Sequence, residues 1–321
     1  METERTVAAV DLGSGTVKWS LFVRASSAWE ARELEEINTE LRKGMLPEWR
    51  LQPGPIADTL KACAGFRKRA DALGLARLPA YGTSALRKAR NREALFEPLK
   101  ALGLEPSLLS PEDEGRLNLL GCLAREGKDA GVLVMDPGGD STEICSDLSG
   151  RGWSGAEVAS LPFGSVSLQE RFGGPRDNAP IPWDRLVAVS AFARDEARRF
   201  PPAAPFLGAG RIPSIRINLP IQRALEAVHG LPAAPPGAGG DYPRCALEAL
   251  TRAAAAADRP GRAAMMAGEP LGKVDRSCYG FASWLGALDA LGADTFRVEP
   301  WGIKLGAALA LNLPSSSVLH G

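Results

Sequence analysis

Asp136, Gly138, Gly139, Ser141 and Glu143 crowd into one short stretch of this chain. Apolar Val132, Leu133, Val134 and Met135 come just before and read as a buried strand, while residues 141–145 alternate like a returning one. Glycines in such a corner let backbone N–H groups face an anion with no Cβ in the way. Asp136 could hold a cation beside that anion, and Glu143 could reach the same cation from the return strand. Taken alone, the stretch reads equally well as a simple Asp-Gly hairpin turn.

It does not stand alone. Residues 6–22 have the same layout: an apolar strand ending in Asp11, then Gly13, Ser14 and Gly15, then Thr16 and a second strand. Asp11, Gly13 and Thr16 register with Asp136, Gly138 and Ser141. A repeated acidic, glycine-cornered hairpin implies two halves that face each other across a phosphate and a metal ion.

Two further segments carry candidate chemistry. Residues 78–83 read as a short strand ending in small residues, followed by a helix over residues 84–102. Arg87 lies in that helix's first turn, where a guanidinium can meet phosphate; a solvated basic face is the competing reading. Ser110, Pro111 and Asp113 form a helix start with a capping-box pattern. The acids of that first turn, Glu112, Asp113 and Glu114, complement the helix dipole, which is a purely structural role. The same dipole keeps Glu114 ionised, as a carboxylate must be to accept a proton from water. Spacing does not choose between the two.

Composition narrows the field. With 321 residues the chain is long for one core and comfortable for two domains. No window is apolar enough to cross a bilayer, and Met1 to Arg5 lead into a strand with no signal-peptide core, so a cytoplasmic protein is expected. Basic and acidic side chains balance at 38 each, which gives no electrostatic footprint for nucleic acid. The five cysteines are scattered with no C-x-x-C pair, and are expected as reduced core residues. With only two histidines, His-based metal sites and His-centred triads have little to work with.

The remaining elements alternate. Residues 33–41 read as a polar third strand, 55–73 as an amphipathic helix, 166–172, 182–200 and 245–257 as helices, and 206–210 as a strand entering a glycine turn. Residues 275–291 read as a helix, 296–298 as a strand and 301–311 as a final helix, with a proline- and glycine-rich surface loop near 235–240. The class is therefore α/β.

In order, these segments resemble the Ppx/GppA phosphatase family of the actin-like ATPase superfamily. Residues 11–16 resemble its first phosphate motif and residues 82–91 its Thr-x-Ala-x-Arg-x-Ala-x-Asn segment. Residues 110–116 resemble the acidic helix start whose last glutamate is the general base, and residues 136–143 resemble Asp-Ile-Gly-Gly-Gly-Ser-Thr-Glu. Residues 161–172 and 301–306 match two later segments. The resemblance implies two actin-like (ribonuclease H-like) domains with an interdomain cleft. Residues 1–116 with 299–321 would form one domain and 117–298 the other, without the C-terminal helical domain of longer members. It implies release of terminal phosphate from inorganic polyphosphate or guanosine pentaphosphate, with magnesium or another divalent cation, and leaves room for a homodimer. Glu114 would be catalytic. Gly13, Ser14, Gly15, Arg87, Gly138, Gly139 and Ser141 would bind phosphate, and Asp11, Asp136 and Glu143 would hold the metal.

Departures from the pattern are also legible. Asp140 replaces the third glycine, Pro137 an apolar residue and Gly15 an asparagine. The expected Gly-x-Gly-Gly-Thr reads as residues 208–212, with Arg211 inside it, and Arg-x-Asp reads Lys273-Val274-Asp275. A carboxylate inside a phosphate cradle repels the ligand unless it binds metal or turns outward. A non-catalytic binder of polyphosphate or nucleotide, and a kinase-like or ATPase member of the superfamily, therefore stand beside the hydrolase.

Overall fold

The computed structural model describes residues 5–25, 28–126, 132–148, 152–175, 178–199, 212–235 and 239–310. The chain divides into two compact units, one made of Met1–Lys128 with Ile303–Gly321 and the other of Asp129–Gly302. A boundary at 116, expected from the resemblance, would cut a helix that runs Pro111–Glu126. The C-terminal boundary lies after 302 rather than before 299, because Glu299 Oε1 accepts from the amides of Trp301 and Gly302 and ties that turn to its own strand.

The first unit opens with an antiparallel meander, β1 (Arg5–Leu12), β2 (Thr16–Ala25) and β3 (Ala28–Asn38). Helix α1 (Pro53–Ala72) leads to β4 (Pro79–Gly82), then α2 (Ser84–Lys88), α3 (Glu93–Ala101), β5 (Glu105–Leu108) and α4 (Pro111–Glu126). Strand order is β3-β2-β1-β4-β5, with β4 parallel to β1 and β5 parallel to β4. Trp19 stacks on Phe66 of α1 at 5.6 Å between ring centroids, anchoring that helix on the sheet. The single helix expected over 84–102 is two. Asn91 breaks it by accepting from the Leu51 amide (2.8 Å) and donating to the Leu51 carbonyl (3.1 Å), a pairing that a helical Asn91 would forgo.

The second unit holds β6 (Leu133–Pro137), β7 (Thr142–Ser146), β8 (Glu157–Leu161), α5 (Ser165–Phe172), α6 (Trp183–Arg199), β9 (Pro213–Arg216), α7 (Leu219–His229), β10 (Asp241–Pro243), α8 (Arg244–Ala256), α9 (Arg259–Met265), α10 (Leu271–Leu291) and β11 (Thr295–Glu299). Its sheet runs β10-β11-β9-β6-β7-β8. Without the short edge strand β10, this is the first unit's order again: meander β6-β7-β8, then parallel β9 and β11. Helix α10 is buried on nearly every side and closes with Gly292 in the left-handed region. Asp275 within it ties to Arg259 and Arg262 of α9, so the expected Lys273-Val274-Asp275 motif here fastens two helices.

The first unit ends with α11 (Ile303–Ala310), which packs on α4. Asn118 of α4 accepts from the Ile303 amide at 2.7 Å and so satisfies one open N–H at the start of α11. The expected strand over 206–210, and the turn through Arg211, lie outside the described residues. Among the described residues no helix is long and apolar enough to cross a membrane.

Candidate functional site

Both corners are built the same way. Gly13 N–H donates to the Thr16 carbonyl (3.1 Å) and Gly138 N–H to the Ser141 carbonyl (2.8 Å). A Cβ on either glycine would stand 2.8 Å from that same carbonyl oxygen, so close approach of the return strand is what demands glycine. This corrects one expectation: the Gly13 and Gly138 amides hold the turn closed and are already spent. The first corner is braced by the amides of Thr39 and Glu40, which donate to the Gly15 carbonyl, and of Arg42, which donates to that of Ser14. The second is braced by α5: Ser165 N–H donates to Gly138 and the Val166 and Ser167 amides donate to Gly139. Helix α5 thus spends its first amides on the corner backbone.

In the first corner, Lys18 lies directly across from Asp11 and its Nζ donates to Asp11 Oδ2 at 2.6 Å. On the other side Asp11 pairs in register with Tyr81. A cavity of about 10 Å³, room for about one water, is lined by Asp11, Ser20, Tyr81, Thr83 and Lys304. Burial pushes the Tyr81 phenol up to about 12, so it remains a neutral donor.

Arg87 and Glu114 meet in this unit. Arg87 Nη1 donates to Glu114 Oε1 and to the Leu109 carbonyl (2.7 Å). The capping pattern at the start of α4 is present: Asp113 N–H donates to Ser110 Oγ at 3.1 Å and Ser110 N–H to Asp113 Oδ2 at 3.3 Å. Glu114 is buried one residue further, where the helix dipole and the guanidinium both favour its anion. The solvated-face reading of Arg87 therefore fails, since its side chain is only 23% exposed and is committed to a carboxylate.

In the second corner, Asp136 lies directly across from Glu143, and Glu143 from Ser160. Ser160 Oγ donates to Glu143 Oε1 at 2.9 Å, and Arg216 Nε donates to Asp136 Oδ1. Asp136 and Glu143 are both buried, as is Asp140 within the corner. Two buried carboxylates stand at facing positions, with Arg216 bonded to Asp136 from the strand on its other side, and a cation would lower their mutual repulsion. Their hard oxygens suit magnesium, which is bound through one or two carboxylates plus waters and phosphate rather than by a full protein cage. Among the described residues there is no group of three or more His, Cys, Asp or Glu arranged around a metal position.

Sequence reasoning missed Arg216. The strand parallel to β6 is β9, so the exit that matters runs through Ile217, Asn218, Leu219 and Pro220. Asn218 Oδ1 accepts from the Ile221 amide at 3.2 Å and caps α7, leaving no glycine loop at that exit. The signal was available: in Pro213-Ser214-Ile215-Arg216 alternation puts Ser214 and Arg216 on one face, and Arg216 ends the strand.

Two sheets that share one five-strand order, the second with β10 added at its edge, each with an aspartate-glycine corner between its first two strands, define the actin-like, ribonuclease H-like class. The sequence matches the Ppx/GppA phosphatase family over residues 33–224, more than half of the chain. The chain belongs to that family. It is similar to a guanosine-5'-triphosphate,3'-diphosphate pyrophosphatase of Photobacterium profundum, 27% identical over 168 residues that cover 51% of this chain and 33% of that protein. The match thus spans about a third of that relative's length. In structure it resembles the Aquifex aeolicus Ppx/GppA family member (TM-score 0.77, 22% identity, 96% of this chain and 98% of that one). It also resembles an exopolyphosphatase from Cytophaga hutchinsonii (TM-score 0.80, 17% identity, 96% and 98%). At these identities the likeness establishes the fold.

Proposed function

We propose that this chain hydrolyses a terminal phosphoanhydride bond, with inorganic polyphosphate or a guanosine polyphosphate as substrate. The observation that carries the reading is the corner built twice, with one turn bond and one glycine-carbonyl approach in each unit. The names of the Photobacterium and Cytophaga relatives support the substrate class.

In this reading the glycine corner of each unit is a phosphate-facing turn. The amides of Ser14, Gly15, Gly139 and Ser141 take phosphate oxygens, since those of Gly13 and Gly138 close the turns. Arg87 clamps the phosphate beside Glu114. Asp136 and Glu143 would hold magnesium. When bound, magnesium draws charge from the phosphate oxygens. Water attacks the terminal phosphorus as the P–O bond to the bridging oxygen breaks. Glu114 accepts the water's proton and the shortened chain leaves with the bonding pair.

Phosphate release from polyphosphate, guanosine pentaphosphate and ATP, each with and without magnesium, tests this. Release from either of the first two, dependent on magnesium, is the expected result. Asp140, buried within the second corner, favours a second reading in which the chain binds polyphosphate without cleaving it. Binding of polyphosphate with no release from any substrate would establish that reading instead.

A further inference from the structure

One register position of the second sheet carries a row of charge: Glu299 on β11, Arg216 on β9, Asp136 on β6, Glu143 on β7 and Ser160 on β8. Asp136 joins the row because Met135 pairs with Ile215, one position before Asp136 and Arg216. The three carboxylates are buried, at 0% (Glu299), 6% (Asp136) and 2% (Glu143) exposure. Glu299 accepts from two backbone amides and Glu143 from the Ser160 hydroxyl. Asp136 takes the guanidinium of Arg216, whose side chain is only 18% exposed.

We infer that Arg216 is a built-in counter-cation that competes with the divalent metal for Asp136 and so sets the metal affinity of this corner. The inference rests on the proposed function, which gives Asp136 to the metal. A dication that approaches Asp136 meets a fixed positive charge already bonded to the same carboxylate. In a site this buried, solvent screens that repulsion poorly. Arg216 is therefore a positioning residue: it holds the Asp136 carboxylate in place before metal arrives and weakens metal binding by its charge.

Direct binding of manganese, followed by the electron paramagnetic resonance of the free ion, tests this on the intact chain without any turnover. We expect Arg216→Gln to bind manganese about tenfold more tightly than the wild type, and Asp136→Asn to bind it at least tenfold more weakly. Equal affinity in the wild type and Asp136→Asn would overturn the metal role given to Asp136 under the proposed function. Weak binding by Asp136→Asn with no tightening in Arg216→Gln would overturn the inference alone. Should Arg216→Gln not fold, the wild type still decides. Its Arg216 Nε–H resonance, assigned by its loss in Arg216→Lys, should shift as magnesium is added; no shift at saturation would overturn the inference.

Discussion

Lys18 and Glu143 occupy the same place in the two hairpins, each seven residues after its corner aspartate and directly across the ladder from it. One corner therefore pairs its aspartate with an ammonium, the other with a second carboxylate. The repeat is exact in backbone and inverted in charge. The Asp11 corner carries its own lysine, whereas the Asp136–Glu143 corner sets two carboxylates opposite each other.

Substitutions at this shared position should act in opposite ways. Lys18→Met leaves Asp11, whose side chain is 20% exposed, without its charged donor, and should cost about 1–3 kcal/mol in urea unfolding. Glu143→Gln removes one of two facing carboxylates while keeping an acceptor for Ser160. Its stability should match or exceed the wild type, and its activity should need about tenfold more magnesium. Equal magnesium requirement in Glu143→Gln and the wild type would remove Glu143 from the metal site.

Glu114→Gln keeps an oxygen for Arg87 but cannot accept a proton. Turnover should fall about 10²–10⁴-fold with little change in KM. Circular dichroism and the melting curve should stay close to the wild type, because the hydrogen bond to Arg87 survives. Arg87→Met should behave differently, raising KM and lowering stability together, since it removes the proposed phosphate clamp and takes the guanidinium away from a buried carboxylate. Wild-type turnover in Glu114→Gln would rule this glutamate out as the base.

Much of this was legible in the chain. Strand, aspartate, glycine and hydroxyl recur in a fixed order, and local turn chemistry suffices to make two matching corners. The capping box at Ser110 and Asp113 is likewise local, and it was readable for that reason. The Arg87–Glu114 pair was not readable: it joins residues 27 apart on two separate helices, so each side chain kept a bland alternative. Arg216 lies 80 residues from Asp136, and only the sheet order β9-β6 makes them neighbours. The break at Asn91 was hidden for the same reason, because its partner Leu51 lies 40 residues away.

The cysteines give a simple check on the fold. All five are free; Cys63, Cys122, Cys145 and Cys278 are buried, but Cys245 is exposed, against the expectation that all five belong to the core. The reason is its place in the first turn of α8, on the face opposite Ala246, Leu247 and Leu250. Burial pushes the Cys63 and Cys278 thiols up to about 12, so at pH 8 they hold their protons as well as being shielded. A thiol reagent added to native protein at pH 8 should modify one cysteine quickly, located at Cys245 by peptide mapping. The other four should react only in denaturant. Rapid reaction of more than one would contradict the packing of both units.

Gly164 is where the second corner is most exposed to damage from outside it. It precedes α5, and its backbone is extended, so any residue could adopt that conformation. What excludes a side chain is space: a Cβ would lie 2.5 Å from the Gly139 carbonyl carbon and oxygen and 2.7 Å from the Asp140 nitrogen. Those atoms are backbone, so Gly164→Ala must push either the corner or the start of α5. Either shift lengthens the bonds from the Ser165, Val166 and Ser167 amides to the Gly138 and Gly139 carbonyls. Overpacking of this kind costs about 1–3 kcal/mol, which a unit with this large a core should survive. The corner amides, however, would no longer aim where the proposed function puts a phosphate. We therefore expect Gly164→Ala to fold, to melt several degrees lower, and to lose at least tenfold in affinity for polyphosphate measured by calorimetry. Alanine at Gly139 would meet the Val166 side chain at 3.3 Å, a milder contact than backbone at 2.5 Å, and should cost less. If Gly164→Ala bound polyphosphate as the wild type does, the second corner could not be part of the phosphate site.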